Sequence, residues 1–120
     1  MTTKIIVAGS RVIPDREKVW NDLGWRLGYY TGLDMVEIVC GMARGADLIG
    51  FDFAQYLGFP LKAFPADWDK HGRSAGYIRN KEMSEYADEL IAYWDGRSNG
   101  TKNMIDLMQA ARKPTTIIFV

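Results

Sequence analysis

Three short stretches of this sequence combine glycines with hydroxyl or charged side chains, and each directly follows an apolar run. They are Gly9-Ser10-Arg11, Gly41-Met-Ala-Arg-Gly-Ala-Asp47 and Asp95-Gly-Arg-Ser-Asn-Gly-Thr101. Arginine binds phosphate through paired N–H groups, and a glycine loop that leads into a helix points backbone N–H groups at an anion. These stretches therefore predict a phosphate site. The alternative is a set of tight turns in which glycine serves only the backbone.

A fourth polar region, residues 65–76, has the composition of a loop that faces a ligand. Its Trp68 either stacks on a base or covers the core. His71 is the only histidine, and no partner accompanies it at metal-ligand spacing, so we expect a solvated loop residue and no metal site. Arg79 and Asn80 follow in the first turns of a predicted helix, near the same ligand face.

The composition narrows the class of protein. The chain has 120 residues, of which 48% are hydrophobic, and this suffices for the core of one domain over residues 1–120. Basic and acidic residues number 15 each, so the net charge is near zero and a nucleic-acid partner is disfavoured. We expect a cytoplasmic protein, because neither a membrane span nor a signal-peptide pattern is found. The single cysteine, Cys40, excludes an internal disulfide.

Apolar runs and helical periodicity alternate along the chain. Short runs rich in β-branched residues predict strands buried on both faces, whereas apolar spacings of three and four predict amphipathic helices. Strands are predicted at residues 4–8, 35–40, 61–64, 90–94 and 115–120, and helices at 14–30, 47–57, 75–87 and 102–112. Thr31-Gly32 is expected to end the first helix. The alternation predicts an α/β fold, in which a mostly parallel five-stranded sheet is covered on both faces in a three-layer α/β/α arrangement.

The three glycine-containing stretches all follow predicted strands. In a doubly wound parallel sheet, the loops after the strands meet at one edge, where open α/β folds bind their ligands. We therefore expect residues 9–11, 41–47 and 95–101 to line one pocket for a phosphorylated molecule. None of them is a Walker P-loop or a GxGxxG dinucleotide motif.

Five motifs, in order, resemble the YspA-like, cpYpsA-related branch of the SLOG superfamily. They are the three stretches above together with Pro65-Ala-Asp-Trp68 and Ala75-Gly-Tyr-Ile-Arg-Asn80. The resemblance extends over almost the whole chain. It implies a Rossmann-like fold that binds nucleotides or nucleotide-derived ligands in a small bacterial or phage protein. Relatives within the superfamily include the Lonely Guy phosphoribohydrolases and the DNA-processing protein DprA.

The Lonely Guy pattern can be compared with this chain residue by residue. Its RKxxM motif resembles Arg79-Asn-Lys-Glu-Met83, and its PGGxGTxxE loop resembles residues 94–101 with two extra residues between the glycines. The catalytic glutamate of that family falls where this chain has Asn103 or Met104. Because cleavage of an N-glycosidic bond needs a carboxylate to stabilise the sugar cation, this difference favours binding over hydrolysis.

Two main functions stay open. The favoured one is a binding module for a nucleotide or a derivative of it, with a sensing or sequestering role in signalling or phage conflict. The alternative is a phosphoribohydrolase-like N-glycosidase, in which Arg79 would hold the phosphate and Asp47 or Asp95 would serve the sugar cation. Single-stranded DNA binding, as in DprA, fits less well because the chain has no net charge.

The pattern and the resemblance together give the expected site. Trp68 would cover the base, Arg79 would add positive charge, and the glycine-containing stretches would hold phosphate and ribose. The expected ligand-binding residues are Gly9, Ser10, Arg11, Gly41, Arg44, Gly45, Asp47, Trp68, Arg79, Asn80, Ser98, Gly100 and Thr101. The expected partner is a nucleotide-like small molecule, with no cofactor, no metal and no membrane. A homodimer is a further expectation.

Overall fold

The computed structural model describes residues 2–28 and 35–120 of the chain. The strands are Thr3–Gly9 (β1), Val36–Cys40 (β2), Leu61–Ala63 (β3), Glu89–Trp94 (β4) and Thr115–Phe119 (β5). The helices are Arg16–Leu27 (α1), Ala46–Leu57 (α2), Trp68–His71 (α3), Ala75–Tyr86 (α4) and Asn99–Ala110 (α5). All strand pairs are parallel, in the order β3-β2-β1-β4-β5. The predicted Rossmann-like fold with a five-stranded sheet is therefore confirmed.

Alternating side chains of β1 separate the core into two halves. Ile5 and Val7 face one side, where they pack in a cluster with residues of α1 and α2. Ile6 and Ala8 face the other side, in a cluster with methionines of α4 and α5. Because successive residues of a strand point to opposite faces, an uninterrupted apolar run is what a sheet covered by helices on both sides requires.

The largest differences between the observed and the predicted element boundaries are at three places, and the other boundaries agree to within two residues. Helix α5 begins at Asn99, three residues before the predicted start, so Gly100 and Thr101 lie in its first turn. The polar region 65–76 is not a plain loop, since it contains α3 and a 3₁₀ turn at Gly72–Ser74. The first helix begins one residue after its N-cap, Asp15. Its predicted end at residues 30–32 lies outside the described residues.

The strand order creates a crevice at the carboxyl edge of the sheet. The chain leaves β1 through α1 towards β2 on one side, and it leaves β4 through α5 towards β5 on the other. The loops after β1 and β4 therefore diverge, and such a switch point is where open α/β sheets bind ligands. Across residues 2–28 and 35–120, no helix has the length and apolar character needed to cross a membrane.

Candidate functional site

A cleft of about 460 Å³ opens at this switch point. Its volume lies within the range of about 300–1,000 Å³ that is typical of small-molecule sites. The walls come from the ends of β1 and β4, the loop before α2, the region around α3, and the first turns of α4 and α5. The lining residues are Ala8, Gly9, Arg11, Val12, Ala43, Asp47, Trp68, Arg73, Gly76, Tyr77, Arg79, Asn80, Met83, Asp95, Ser98, Asn99, Gly100, Thr101 and Met104.

Ser10 joins the three loops that meet at the cleft. Its hydroxyl accepts a hydrogen bond from the Asp95 backbone N–H at 2.9 Å and lies 3.2 Å from the Ser98 hydroxyl. Its carbonyl accepts the N–H of Ala46, the first residue of α2, at 3.1 Å. The side chain is buried and does not line the cleft. The expected hydrogen bond from this hydroxyl to a ligand is therefore replaced by bonds within the protein.

Replacing Ser10 with alanine should destabilise the fold by about 1 kcal/mol, because the partly buried hydrogen bond to the Asp95 N–H group is then lost. Chemical denaturation of the purified variant would measure the loss. Ser74→Ala is the matched control, since Ser74 is exposed and makes no side-chain capping bond. Equal stability of the two variants would contradict a joining role for Ser10.

Asp95 braces the loop that follows β4. Its carboxylate accepts hydrogen bonds from the backbone N–H groups of Arg97 and Ser98, both at 2.8 Å, and from the Ser98 hydroxyl. These bonds favour the charged form, so the pKa of Asp95 lies below its ordinary value. The carboxylate lines the cleft, but its hydrogen bonds hold the loop in the shape that presents the N-terminus of α5.

The first turn of α5 forms one wall of the cleft. Ser98 is its N-cap but makes no side-chain capping bond. Asn99, Gly100 and Thr101 line the cleft, and their N–H groups belong to the first turn, where a helix has no internal acceptors. A helix N-terminus favours negative charge for this reason. The structure therefore brings Ser98, Gly100 and Thr101, three of the expected ligand residues, to one wall.

Another part of the cleft wall contains two opposite charges, the buried Asp47 and the half-buried Arg79. Asp47 lies in the first turn of α2 and is only 4% exposed. Burial raises its pKa to about 6, although the Arg79 guanidinium and backbone N–H groups oppose this effect. Desolvation likewise lowers the pKa of Arg79, and Asp47 opposes that change. A carboxyl group with a perturbed pKa in a cleft is a frequent sign of a functional site.

Hydrogen bonds hold the Arg79 guanidinium in place and leave part of it facing the cleft. Its Nη1 donates to the carbonyl of Gly41, and its Nε donates to Asn80 Oδ1 at 2.9 Å. Asn80 Nδ2 in turn donates to the Gly100 carbonyl at 3.2 Å and to Asn103 Oδ1 at 3.0 Å. This chain of hydrogen bonds joins the loop after β2 to α4 and α5, so it fixes the positions of these parts of the site relative to one another.

Asn103 was not among the expected site residues. Sequence reasoning considered it only as the position where the related phosphoribohydrolases carry glutamate. In the structure its amide oxygen accepts from Asn80, while its neighbour Met104 lines the cleft. Its spacing, one turn after Asn99, was the signal that could have identified it. Arg73 and Tyr77 also line the cleft and were not among the expected residues, although Arg73 lies in the polar region 65–76 and Tyr77 in the Ala75–Asn80 motif.

The glycines around the cleft have packing reasons for being glycine. A Cβ on Gly9 would lie 2.0 Å from the Tyr93 carbonyl oxygen, and one on Gly41 would lie 2.5 Å from Arg79 Nη1. Gly45 adopts a φ of +84°, and a Cβ there would lie 2.3 Å from the Ser10 carbonyl oxygen. Gly45 lines neither the cleft nor the cavity beside it, so the alternative explanation, glycine for the backbone, describes this position.

A second cavity, of about 490 Å³, adjoins the cleft. Its lining residues are Arg11, Gly41, Met42, Ala43, Arg44, Pro65, Ala66, Trp68 and Arg79. The expectation of one pocket thus needs correction, because Gly41 and Arg44 line the second cavity and not the cleft. Trp68 is 51% exposed and borders both. His71 lines neither, and the described residues contain no group of side chains that could hold a metal ion.

These features define a Rossmann-like α/β domain with an arginine-lined cleft at the switch point of its sheet. The chain belongs to the YspA, cpYpsA-related SLOG family, which it matches over residues 3–71. The resemblance inferred from the five motifs is therefore confirmed.

A phage protein and two solved structures are similar to this chain. Gene 61 protein of Mycobacterium phage D29 is 38% identical over an alignment of 117 residues, and the alignment covers 92% of this chain and 92% of that protein. DNA processing protein A (DprA) from Streptococcus pneumoniae superposes with a TM-score of 0.75 at 16% identity, over 97% of this chain and 50% of that one. DNA processing protein A from Helicobacter pylori was studied for its single-stranded DNA binding mode. It superposes with a TM-score of 0.63 at 17% identity, over 96% of this chain and 64% of that one.

The two DNA processing proteins are longer than this chain, which spans half of one and less than two thirds of the other. At 16% and 17% identity, their likeness to this chain is one of fold. Function must therefore be argued from the site, because one fold hosts many activities.

Proposed function

We propose that this domain binds a nucleotide or a nucleotide-derived ligand in the cleft at the switch point. The observation that carries the proposal is the presence of two anion-binding features in one cavity. Arg11 and Arg79 supply positive charge, and the first turn of α5 supplies N–H groups that have no acceptor within the helix. Both features select an anion, and phosphate is the anion most often bound in this way.

Two aromatic side chains suit the remainder of a nucleotide. Trp68 is 51% exposed and Tyr77 is 50% exposed, and both line the cleft. Large aromatic groups exposed beside cations are suited to stacking on a base. We assign the base to this aromatic side and the phosphate to the side of Arg79 and Thr101. Membership of a SLOG family supports a nucleotide-related ligand, and the whole chain then acts as one binding domain in the cytoplasm.

Isothermal titration with the ribonucleoside and deoxyribonucleoside monophosphates and with nucleoside diphosphate sugars tests the proposal. Native mass spectrometry of freshly purified protein, searched for a retained nucleotide mass, is the complementary test. At least one nucleotide should bind or be retained. Absence of both signals would overturn the proposal.

Arg11→Ala should weaken nucleotide binding by about 1–3 kcal/mol, the value of a hydrogen bond to a charged group. The variant should fold normally, since Arg11 is exposed. Arg16→Ala provides a matched control, because Arg16 is also exposed and pairs instead with Asp52 at 3.6 Å. Titration calorimetry on both variants would measure the difference. If the two substitutions changed nucleotide affinity equally, Arg11 would not be a ligand-binding residue.

Single-stranded DNA binding is a second candidate. It is favoured by the fold shared with DNA processing protein A, one solved example of which is described for that binding mode. The arginines and exposed aromatics of the cleft are also the groups that bind single strands, although the neutral net charge disfavours it. Fluorescence anisotropy with labelled oligothymidylate at low and moderate salt would separate the two candidates. Binding that falls steeply with salt would favour DNA.

Hydrolysis of the bound nucleotide is a further alternative, and the position of Asp47 favours it. A buried carboxyl group with a pKa of about 6 is suited to general acid–base work near neutral pH. Asp95 fits that role less well, because its carboxylate already accepts three hydrogen bonds from the loop. Incubation with nucleoside monophosphates, followed by chromatography for free base, is the test. Complete recovery of the nucleotide would exclude this alternative.

A further inference from the structure

The cleft and the second cavity are neighbours of nearly equal size, about 460 and 490 Å³. Four residues line both, namely Arg11, Ala43, Trp68 and Arg79. The cleft alone is large enough for a nucleoside monophosphate. The two together approach about 1,000 Å³, the upper end of the range for small-molecule sites. A ligand confined to the cleft would leave the adjoining cavity to water.

Positive charge is concentrated where the two cavities meet. Arg11 and Arg79 lie close enough that the charge of the first contributes to lowering the pKa of the second. Arg44 adds a third cation on the side of the second cavity. Asp47 partly compensates Arg79 from within the protein. Like charges held together at a junction favour a bound anion of more than one charge, because the anion relieves their repulsion.

We propose that the ligand has two parts joined through a phosphate bridge. The nucleoside lies in the cleft, the bridging diphosphate lies between Arg11 and Arg79, and a second polar group, such as a sugar, occupies the second cavity. This inference rests on the proposed function and deepens it. It identifies the ligand class as nucleoside diphosphates esterified to a further group, and it gives Arg44 a role that the cleft alone does not.

Pairs of ligands that share one base test the inference. For each of adenine, guanine, cytosine and uracil, the affinity of the nucleoside monophosphate is compared with that of the nucleoside diphosphate glucose by titration calorimetry. For the preferred base, the glucose derivative should bind at least about tenfold more tightly, since it adds charged contacts. Equal affinities, with the monophosphate binding well, would overturn the inference and leave the proposed function intact. Binding of neither member of any pair would overturn the proposed function itself.

Ala66→Trp fills only the second cavity, because Ala66 lines that cavity and not the cleft. The variant should lose the tenfold advantage of the glucose derivative while keeping the affinity for the monophosphate. Gly100→Leu is the matched variant for the cleft, since Gly100 lines only the cleft and a Cβ there meets nothing within 4 Å. It should weaken both ligands. An equal loss of both ligands in Ala66→Trp would contradict the division into two compartments.

If Ala66→Trp does not fold, Arg44→Ala tests the same inference. Arg44 is exposed and lines only the second cavity, so its removal should leave the fold unchanged. We expect this variant to weaken the glucose derivative about fivefold or more and the monophosphate by less than about twofold, in line with the loss of one charge-assisted contact. Unchanged affinity for the glucose derivative would overturn the inference.

Discussion

Gly45→Ala is expected to reduce the free energy of unfolding by about 3–5 kcal/mol, a large part of the stability of a small domain. Two effects add. The backbone at Gly45 has φ of +84° and ψ of −129°, a combination that residues with a side chain rarely adopt. The new Cβ would also lie 2.3 Å from the Ser10 carbonyl oxygen and 2.6 Å from the Arg11 carbonyl carbon. The loop after β1 and the N-terminus of α2 would therefore have to move apart.

Gly58→Ala separates the cost of the backbone conformation from the cost of the steric clash. Gly58 also has a positive φ, +75°, but a Cβ there would meet nothing within 4 Å. This substitution should lower the free energy of unfolding by only about 1 kcal/mol, the usual penalty for a residue with a side chain in the left-handed conformation. Urea denaturation of both variants measures the two values. If Gly45→Ala were no less stable than the control but had lost nucleotide binding, Gly45 would be a ligand-contact glycine, as first expected.

The sheet could be predicted from sequence because its strands are short apolar runs between turn residues. Ile5, Ile6 and Val7 are all buried, some on one face of the sheet and some on the other, and an uninterrupted apolar run is the direct sign of this arrangement. The start of α5 was predicted three residues late. Its N-cap Ser98 makes no capping bond, and Gly100 in the first turn was taken for part of the loop.

The site could be predicted in outline but not in the roles of its residues. The rule that ligands bind at the carboxyl edge of a parallel sheet brings the three loops together. It does not say that the Ser10 hydroxyl turns inward to Asp95, or that the buried Asp47 interacts with Arg79, which comes from a helix much later in the chain. Such roles depend on which side chains fill the space left by others. That is decided by tertiary packing, which local patterns do not contain.

Asp47→Asn should stabilise the protein at neutral pH. The folded-state pKa of Asp47 is about 6, whereas an unfolded aspartate has a value of about 3.9. Between these values the folded protein binds more protons than the unfolded chain. The free energy of unfolding therefore falls as the pH rises through this window, by up to about 3 kcal/mol in all. Asparagine does not ionise, so the variant avoids this loss and keeps an acceptor for the surrounding N–H groups.

Denaturant unfolding of the wild type and of Asp47→Asn at pH 4, 5, 6 and 7.5 would measure the effect as a difference that grows with pH. Asp52→Asn is the control on the same helix, because Asp52 is exposed and only loosely paired with Arg16. It should follow the wild-type profile. A pH-independent difference between wild type and Asp47→Asn would mean that the pKa of the carboxyl group is the same in the folded and unfolded protein. A buried charge that lowers stability at neutral pH is explained most simply by a task in the cleft, so the gain in stability should come with weaker ligand binding or lost turnover.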